Sequence, residues 1–308
     1  MYETIDVSAW PTAGAEPMGT KRKIWLCNPG NLDEKWLFKY RNKEYTGDDW
    51  SEKVASELAA VLGVPHARVE LAKRGPERGV ICRDLVGPSE DVALIPGDRV
   101  LAQHHPDYPD LAEDYRNADH TLGRVLSVLE RLGVAVPDGT PRVDELRTAV
   151  DVFCGYLMFD ALIGNTDRNP GNWAVLGYSL APSLRLCPSY DHASSLGYRE
   201  TDAVRVRKLG TQDRGDGIAA YAAKAGSALY GSATDRKPLK THGAFRTVAG
   251  SAPAAARFWL VRLGSVPYPD LTDIVARVSP EIMSDEARRF ACELLRSNRE
   301  ILLTVPLL

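Results

Sequence analysis

Two short runs of β-prone residues, Lys23–Cys27 (KIWLC) and Lys35–Arg41 (KWLFKYR), flank the strong reversal signal Asn28-Pro29-Gly30-Asn31. The pattern predicts an antiparallel hairpin. From Asp49 to Leu62 the apolar positions Val54, Leu58, Val61 and Leu62 recur at helical spacing, with Asp48, Asp49 or Ser51 available as N-cap and Gly63 and Pro65 to end the helix. Val69–Ala72 and Gly79–Leu85 read as two more strands. Residues 87–110, rich in Pro, Gly and Asp, read as a hinge or loop. Beyond Leu111 the pattern turns helical. Val143–Ile163 carries Val150, Phe153, Leu157 and Ala161 on one stripe and Val152, Tyr156, Phe159 and Ile163 beside it, as a helix buried on much of its circumference would. Gly164 ends it. A second hairpin follows, Trp173–Leu176 and Leu184–Cys187, joined across a Gly177–Ser183 turn. Residues 198–250 are polar, Gly/Ala-rich and weakly periodic, which predicts a mobile region. A last helix over Ser284–Leu303 shows Ala287, Phe290, Leu294 and Leu295 on one face. The elements predict an α+β chain: a small β-rich lobe with one helix over residues 1–88, and a larger, mainly helical lobe over 89–308.

Composition narrows the partners. With 308 residues, 44% of them hydrophobic, the chain can bury one sizeable core or two modest ones. Its 38 basic and 41 acidic side chains leave a formal net charge of −3, so no direct nucleic-acid binding is expected. The five cysteines, Cys27, Cys82, Cys154, Cys187 and Cys292, are odd in number and lack metal-ligand spacing, which predicts thiols in a reducing compartment. No stretch approaches the ~20 apolar residues of a membrane span, and Met1–Trp10 has no signal-peptide character. The expected location is the cytoplasm.

The segment Gly164-Asn-Thr-Asp167-Arg-Asn-Pro-Gly-Asn172-Trp173, followed by Tyr190-Asp191-His192, carries the chemistry. Moving a phosphoryl group needs an acidic group at the attacking hydroxyl and oxygen ligands for magnesium at the nucleotide phosphates. Asp167 and Asn172 have the D-x-x-x-x-N spacing that protein kinases use for those two tasks. Asn172 precedes the first strand of the second hairpin and Asp191 follows the second strand, so antiparallel pairing brings both to the same open end.

The first hairpin supplies the other half of such a site. Lys39 should lie opposite Lys23, beside the loop Gly14–Arg22, where glycines can expose backbone N–H groups to phosphates. Gly19, Thr20, Lys21 and Lys23 are the phosphate-side candidates there, although the loop has no G-x-G-x-x-G. Lys39, between Phe38 and Tyr40, resembles the strand lysine that pairs with nucleotide phosphates in kinases. A glutamate on the next helix should hold it. Glu52 and Glu57 are both candidates, and their five-residue spacing puts them on different faces, so only one can reach.

Taken together, Gly19-Thr-Lys-Arg-Lys-Ile-Trp25, Trp36-Leu-Phe-Lys39, Ser51-Glu52 opening a helix that ends in Leu-Gly-Val-Pro, Gly-Asn-Thr-Asp167 through Asn172, and Tyr190-Asp191 resemble the HipA-like serine/threonine kinase family, including its stand-alone toxin-like members. The resemblance spans roughly residues 19–200. It implies a two-lobed protein-kinase-like fold and an ATP- and Mg2+-dependent kinase. In that family's terms Asp167 would be the base, Asn172 and Asp191 the metal ligands, Lys39 the phosphate contact and Glu52 its partner. The backbone around Arg83, Asp84 and Leu85 would hold adenine. A protein substrate and a separate antitoxin-like partner chain are further implications. The phosphate loop offers Thr12 and Thr20 but no serine, which departs from the pattern of autophosphorylated relatives.

The Asn-Thr-Asp-Arg stretch before an Asn-Trp also resembles type II phosphatidylinositol 4-kinases, which keeps a lipid or small-molecule acceptor open. A catalytically silent nucleotide-binding scaffold is the third reading, disfavoured because Lys39, Asp167, Asn172 and Asp191 are all present. Arg205, Arg207 and Lys208 form a basic cluster that reads as a solvated face or a contact for an acidic group.

Overall fold

A computed structural model of the chain describes residues 1–15, 22–42, 47–89, 91–109, 117–180 and 183–306. In the first part of the chain the strands are β1 (Thr4–Asp6), β2 (Thr12–Ala15), β3 (Lys23–Asn28), β4 (Asn31–Tyr40), β5 (Val69–Arg74) and β6 (Glu77–Arg83), with helix α1 (Asp48–Leu62) between β4 and β5. They form one sheet in the order β1-β5-β6-β4-β3-β2. β3 and β4 pair antiparallel, and their register sets Lys23 opposite Lys39, as the hairpin pattern predicts. The alternating side chains of β4 divide by face: Trp36 and Phe38 join Leu26, Ala72 and Ile81 in one small core, and Lys39 points the other way. β6 lies against β4 so closely at Gly79 that a Cβ there would collide with the Lys39 carbonyl oxygen, which leaves glycine as the residue that fits.

Helix α1 packs on this sheet, but its cap differs from the expectation. Gly47 is the N-cap, with no side-chain cap hydrogen bond. The three expected cap residues are engaged elsewhere. Asp48 Oδ2 accepts from the Asn42 N–H at 3.2 Å, Asp49 Oδ2 accepts from Arg78 Nη2 at 2.8 Å, and Ser51 Oγ donates to the Ser195 carbonyl at 2.9 Å. Arg78 also donates to the Glu281 and Ile282 carbonyls at 3.0 and 3.3 Å. The start of α1 is thus held by tertiary contacts that reach into the helical part of the chain.

That part contains β7 (Val92–Pro96), α2 (Gly97–His104), α3 (Leu122–Arg131), α4 (Ala149–Ile163), β8 (Ala174–Tyr178) and β9 (Ser183–Leu186). It closes with α5 (Asp202–Gly210), α6 (Ile218–Lys224), α7 (Thr241–Ser251), α8 (Pro253–Ser265), α9 (Tyr268–Ala276) and α10 (Asp285–Leu303). The expectation of a hinge or loop over 87–110 is corrected here. β7 pairs with β8 in a three-stranded sheet, β7-β8-β9, and α2 follows it. The mobile region expected over 198–250 is corrected too, since α5, α6 and α7 occupy much of it and α7 packs on α4. α4 is buried along nearly its whole length, capped by a Thr148/Asp151 capping box, and it is the axis around which α7, α8 and α10 pack. No helix among the described residues is long and apolar enough to cross a membrane.

His120 is a buried support of the second hairpin: its Nε2 accepts from Trp173 Nε1 at 3.1 Å and its Nδ1 faces the Ala228 carbonyl at 3.1 Å. Burial lowers its pKa to about 4 from 6.5, so the ring is neutral. Between those values the unfolded chain binds a proton that the folded chain refuses, and stability therefore falls as pH drops through that window. Urea unfolding should show the native chain losing about 2 kcal/mol between pH 7 and pH 5 through this ring alone, and His120→Asn should flatten that part of the slope. An identical slope in the variant would assign the acid sensitivity elsewhere.

Candidate active site

The site is built where the first sheet, α1 and the second hairpin meet. Lys39 Nζ donates to Glu52 Oε1 at 2.7 Å and lies 3.3 Å from Asp191 Oδ1. Lys39 and Glu52 are both buried, at 8% and 2% exposure, whereas the Asp191 side chain keeps 31%. Burial alone would lower the Lys39 pKa, but the charges of Asp191 and Glu52 outweigh it and hold the ammonium well above the usual lysine range. Cys82 Sγ donates to the same Glu52 oxygen at 3.4 Å, and burial pushes this thiol well up, so it stays neutral. Of the two candidate glutamates, Glu52 faces Lys39. Glu57 is engaged by Lys53 Nζ at 2.6 Å, one turn along α1, and is corrected as a partner of Lys39.

Asp167 and Asn172 lie on the turn between α4 and β8. Gly164 ends α4 at φ 64°, a left-handed conformation that glycine takes without strain. The loop then folds on its own side chains. The Asp167 N–H donates to Asn165 Oδ1 at 3.2 Å, Asn169 Nδ2 donates to Asp167 Oδ1 at 2.9 Å, and Asn172 Nδ2 donates to the Asp167 carbonyl at 2.7 Å. Asp167 is half-buried and Asn172 is 9% exposed.

Sequence reasoning missed the residue that holds this loop. Arg168 is fully buried and grips Asp160 of α4 in a fork, Nε to Oδ2 at 2.8 Å and Nη2 to Oδ1 at 2.7 Å. Its Nη1 donates to the Asn172 carbonyl at 2.7 Å and Nη2 to Ser189 Oγ at 2.9 Å. One guanidinium therefore ties α4, the start of β8 and the segment after β9 together. Ser189 Oγ lies 2.7 Å from His192 Nε2, and burial with the Arg168 charge holds that imidazole well below the usual range, so it serves as a neutral acceptor. The signal was the carboxylate of Asp160 in the apolar C-terminal half of α4, away from the cap that accounts for Asp151, since a buried carboxylate needs a buried cation.

Asp191 has a left-handed backbone, φ 56°, a conformation costing on the order of 1–3 kcal/mol for a non-glycine residue. Contacts on both sides impose it. Before it, Ser189 N–H donates to the Pro65 carbonyl at 2.9 Å and Tyr190 hydroxyl to the Gly171 carbonyl at 2.8 Å. After it, Thr166 N–H donates to the Ser194 carbonyl at 3.1 Å and Leu196 N–H to the Ile163 carbonyl at 2.9 Å. The carboxylate is thus fixed beside Lys39.

Gly19, Thr20 and Lys21 lie outside the described residues. Lys23 is placed across the ladder from Lys39. Arg83 ends β6 with its side chain toward Glu34 at 3.6 Å. Asp84 N–H donates to the Lys35 carbonyl at 3.0 Å, and Leu85 packs against the apolar cluster that includes Leu176 and Cys187.

This architecture, a β-rich lobe with one helix whose glutamate pairs with a strand lysine, set against a helical lobe, is an α+β protein-kinase-like fold. The same fold is found in the crystal structure of the Helicobacter pylori proinflammatory kinase CtkA: the alignment covers 98% of this chain and 96% of that one, with a TM-score of 0.73 and 19% sequence identity. A chain of the Shewanella oneidensis MR-1 toxin–antitoxin complex of HipA, HipB and operator DNA aligns over 95% of this chain and 66% of its own, with a TM-score of 0.49 and 11% identity. No family model and no curated protein matches the chain. The likeness to CtkA lends no support to the resemblance to type II phosphatidylinositol 4-kinases.

Proposed function

We propose that this chain is an ATP- and Mg2+-dependent phosphotransferase, a HipA-like kinase that acts on serine or threonine hydroxyls of a protein in the cytoplasm. The observation that carries the reading is the Lys39 ammonium, held by Glu52 at 2.7 Å and facing Asp191 at 3.3 Å, with Asp167 and Asn172 on the α4–β8 loop that Arg168 ties to the segment leading into Asp191. The donor set fits the cofactor: a buried ammonium held in its charged form by Asp191 and Glu52 suits phosphate oxygens, and one carboxylate with one amide oxygen suits Mg2+, which takes few protein ligands and completes its shell with phosphate and water. Bound MgATP would supply the phosphoryl group and neutralise charge on the phosphates. Asn172 and Asp191 would hold the metal, and Lys39 the phosphates, with Gly19, Thr20, Lys21 and Lys23 on the same side. The backbone of Arg83, Asp84 and Leu85 would hold adenine. Asp167 would orient the acceptor hydroxyl and take its proton. A separate antitoxin-like chain as partner belongs to the same reading.

The test is incubation of the pure protein with γ-labelled ATP and Mg2+, with protein, lipid and small-molecule acceptors in separate arms. Label on protein supports the proposal; failure of the folded protein to bind nucleotide at all would end it. Glu52→Gln should raise the Km for ATP about tenfold, because Lys39 loses the charge that positions it, an effect of about 1.4 kcal/mol. Glu57→Gln should leave it within twofold. Equal effects from both would refute the assignment of Glu52.

A further inference from the structure

A groove of about 860 Å3 lies between the α5–α6 region and α10, away from Lys39 and Asp167. Five cations line it, Lys208, Arg214, Arg288, Arg289 and Arg296, against two acids, Asp213 and Glu293. The lining itself has three more cations than acids, but Asp216, Glu300 and Asp285 at its margin offset Lys208, Arg296 and Arg288, so the charge left for a ligand is that of Arg214 and Arg289. Three of these cations already have partners: Arg296 bridges Glu293 and Glu300, Lys208 pairs with Asp216, and Arg288 lies 3.8 Å from Asp285 and donates to the Val275 and Val278 carbonyls at 2.9 and 3.0 Å. Arg214 and Arg289 are exposed and have no ion pair among the described residues. They come from different walls, one from the segment between α5 and α6 and one from α10. Between the cations the lining mixes the polar Thr211 and Gln212 with an apolar strip in which Leu209 and Ile218 are only partly buried against the Phe290 and Leu294 cluster. Leaving such surface in water is unfavourable, and a ligand that covers it while meeting the arginines would gain from both.

The basic run Arg205, Arg207, Lys208 divides here. Arg207 turns outward and Lys208 lies largely covered on the groove, and both pair with Asp216. Arg205 turns inward and donates to the Gly197 carbonyl at 3.1 Å. Gly197 belongs to the segment that begins at Asp191, so this bond fixes the α5 wall of the groove to the segment carrying the proposed metal ligand.

Resting on the kinase reading above, we propose that this groove docks the protein substrate, and that it selects an acidic stretch with an aliphatic anchor: carboxylates on Arg214 and Arg289, a leucine-sized side chain over Leu209 and Ile218. Docking beside a helix anchored to the Asp191 segment would raise the local concentration of the acceptor hydroxyl near Asp167.

The probes are two fluorescent peptides of equal length, each with one serine and two leucines, one with Glu and Asp at the remaining positions and one with Lys. Anisotropy with the full chain should show the acidic peptide bound and the Lys peptide not, with affinity falling as salt rises. Arg214→Glu with Arg289→Glu should weaken the acidic peptide at least tenfold and raise its Km as acceptor, with kcat and nucleotide affinity unchanged. Alkylation of Cys292, which also lines the groove, should slow under the acidic peptide only. Equal binding of both peptides, unchanged binding in the double variant, or displacement by duplex DNA at equal charge concentration would overturn the proposal. If arginine-dependent peptide binding persists while no phosphoryl transfer occurs, the groove stands and the kinase reading falls. Transfer with an unaltered Km in the double variant would leave the kinase reading in place and remove the groove from substrate docking.

Discussion

Asp167→Asn is expected to bind nucleotide as the native chain does and to transfer phosphate about 10²- to 10⁴-fold more slowly, the usual contribution of a positioned acid–base group. The substitution is nearly isosteric, and the amide oxygen can still accept from Asn169 Nδ2, so the loop keeps its shape. What disappears is the capacity to take the hydroxyl proton. A nucleotide titration with a single-turnover transfer assay separates the two properties. Activity within threefold of native would remove Asp167 from the proposed chemistry, whereas loss of nucleotide binding would point to a collapsed loop.

Arg168→Leu should destabilise the fold by about 3–5 kcal/mol, because it strands a buried carboxylate. Asp160 is 1% exposed, and it would keep only Asn165 Nδ2, at 2.8 Å, as a neutral donor. The Asn172 carbonyl and Ser189 hydroxyl lose their donor as well. A total stability of roughly 5–15 kcal/mol cannot absorb much more. The double variant Arg168→Leu, Asp160→Leu tests the cause, since replacing both members of a buried pair by apolar groups is often close to neutral. Urea unfolding should show the double variant recovering most of the loss. A single variant within 1 kcal/mol of native, or a double variant worse than the single, would refute this account.

The contrast between these two residues shows what the sequence made legible. Asp167 was singled out by the D-x-x-x-x-N spacing that phosphoryl transfer would need, and the structure places it with Asn172 on one self-bonded loop. The Lys23–Lys39 register was readable for a similar reason: the turn Asn28–Asn31 counts outward along both strands. The choice between Glu52 and Glu57 was not readable, because it depends on how α1 is rotated against the sheet, and tertiary contacts at Asp49 and Ser51 set that rotation. The same contacts explain the misjudged N-cap. β7 was hidden because its partner, β8, lies about 80 residues downstream, as the Val92↔Tyr178 register shows, and local Pro and Gly signals dominated. α7 was hidden by its small residues, which suit close packing on α4 but give a weak periodic signal. Arg168 needed the recognition that Asp160 faces an apolar interior.

Arg78 belongs to a strand of the first sheet, yet two of its bonds end on the carbonyls of Glu281 and Ile282, more than 200 positions further along the chain. Ser51 spans a shorter gap of 144 positions to Ser195. An excised small lobe would leave the Arg78 guanidinium and the Ser51 hydroxyl without these acceptors, so the strand and helix that carry Lys39 and Glu52 should hold their relative placement less firmly on their own than against the helical part of the chain.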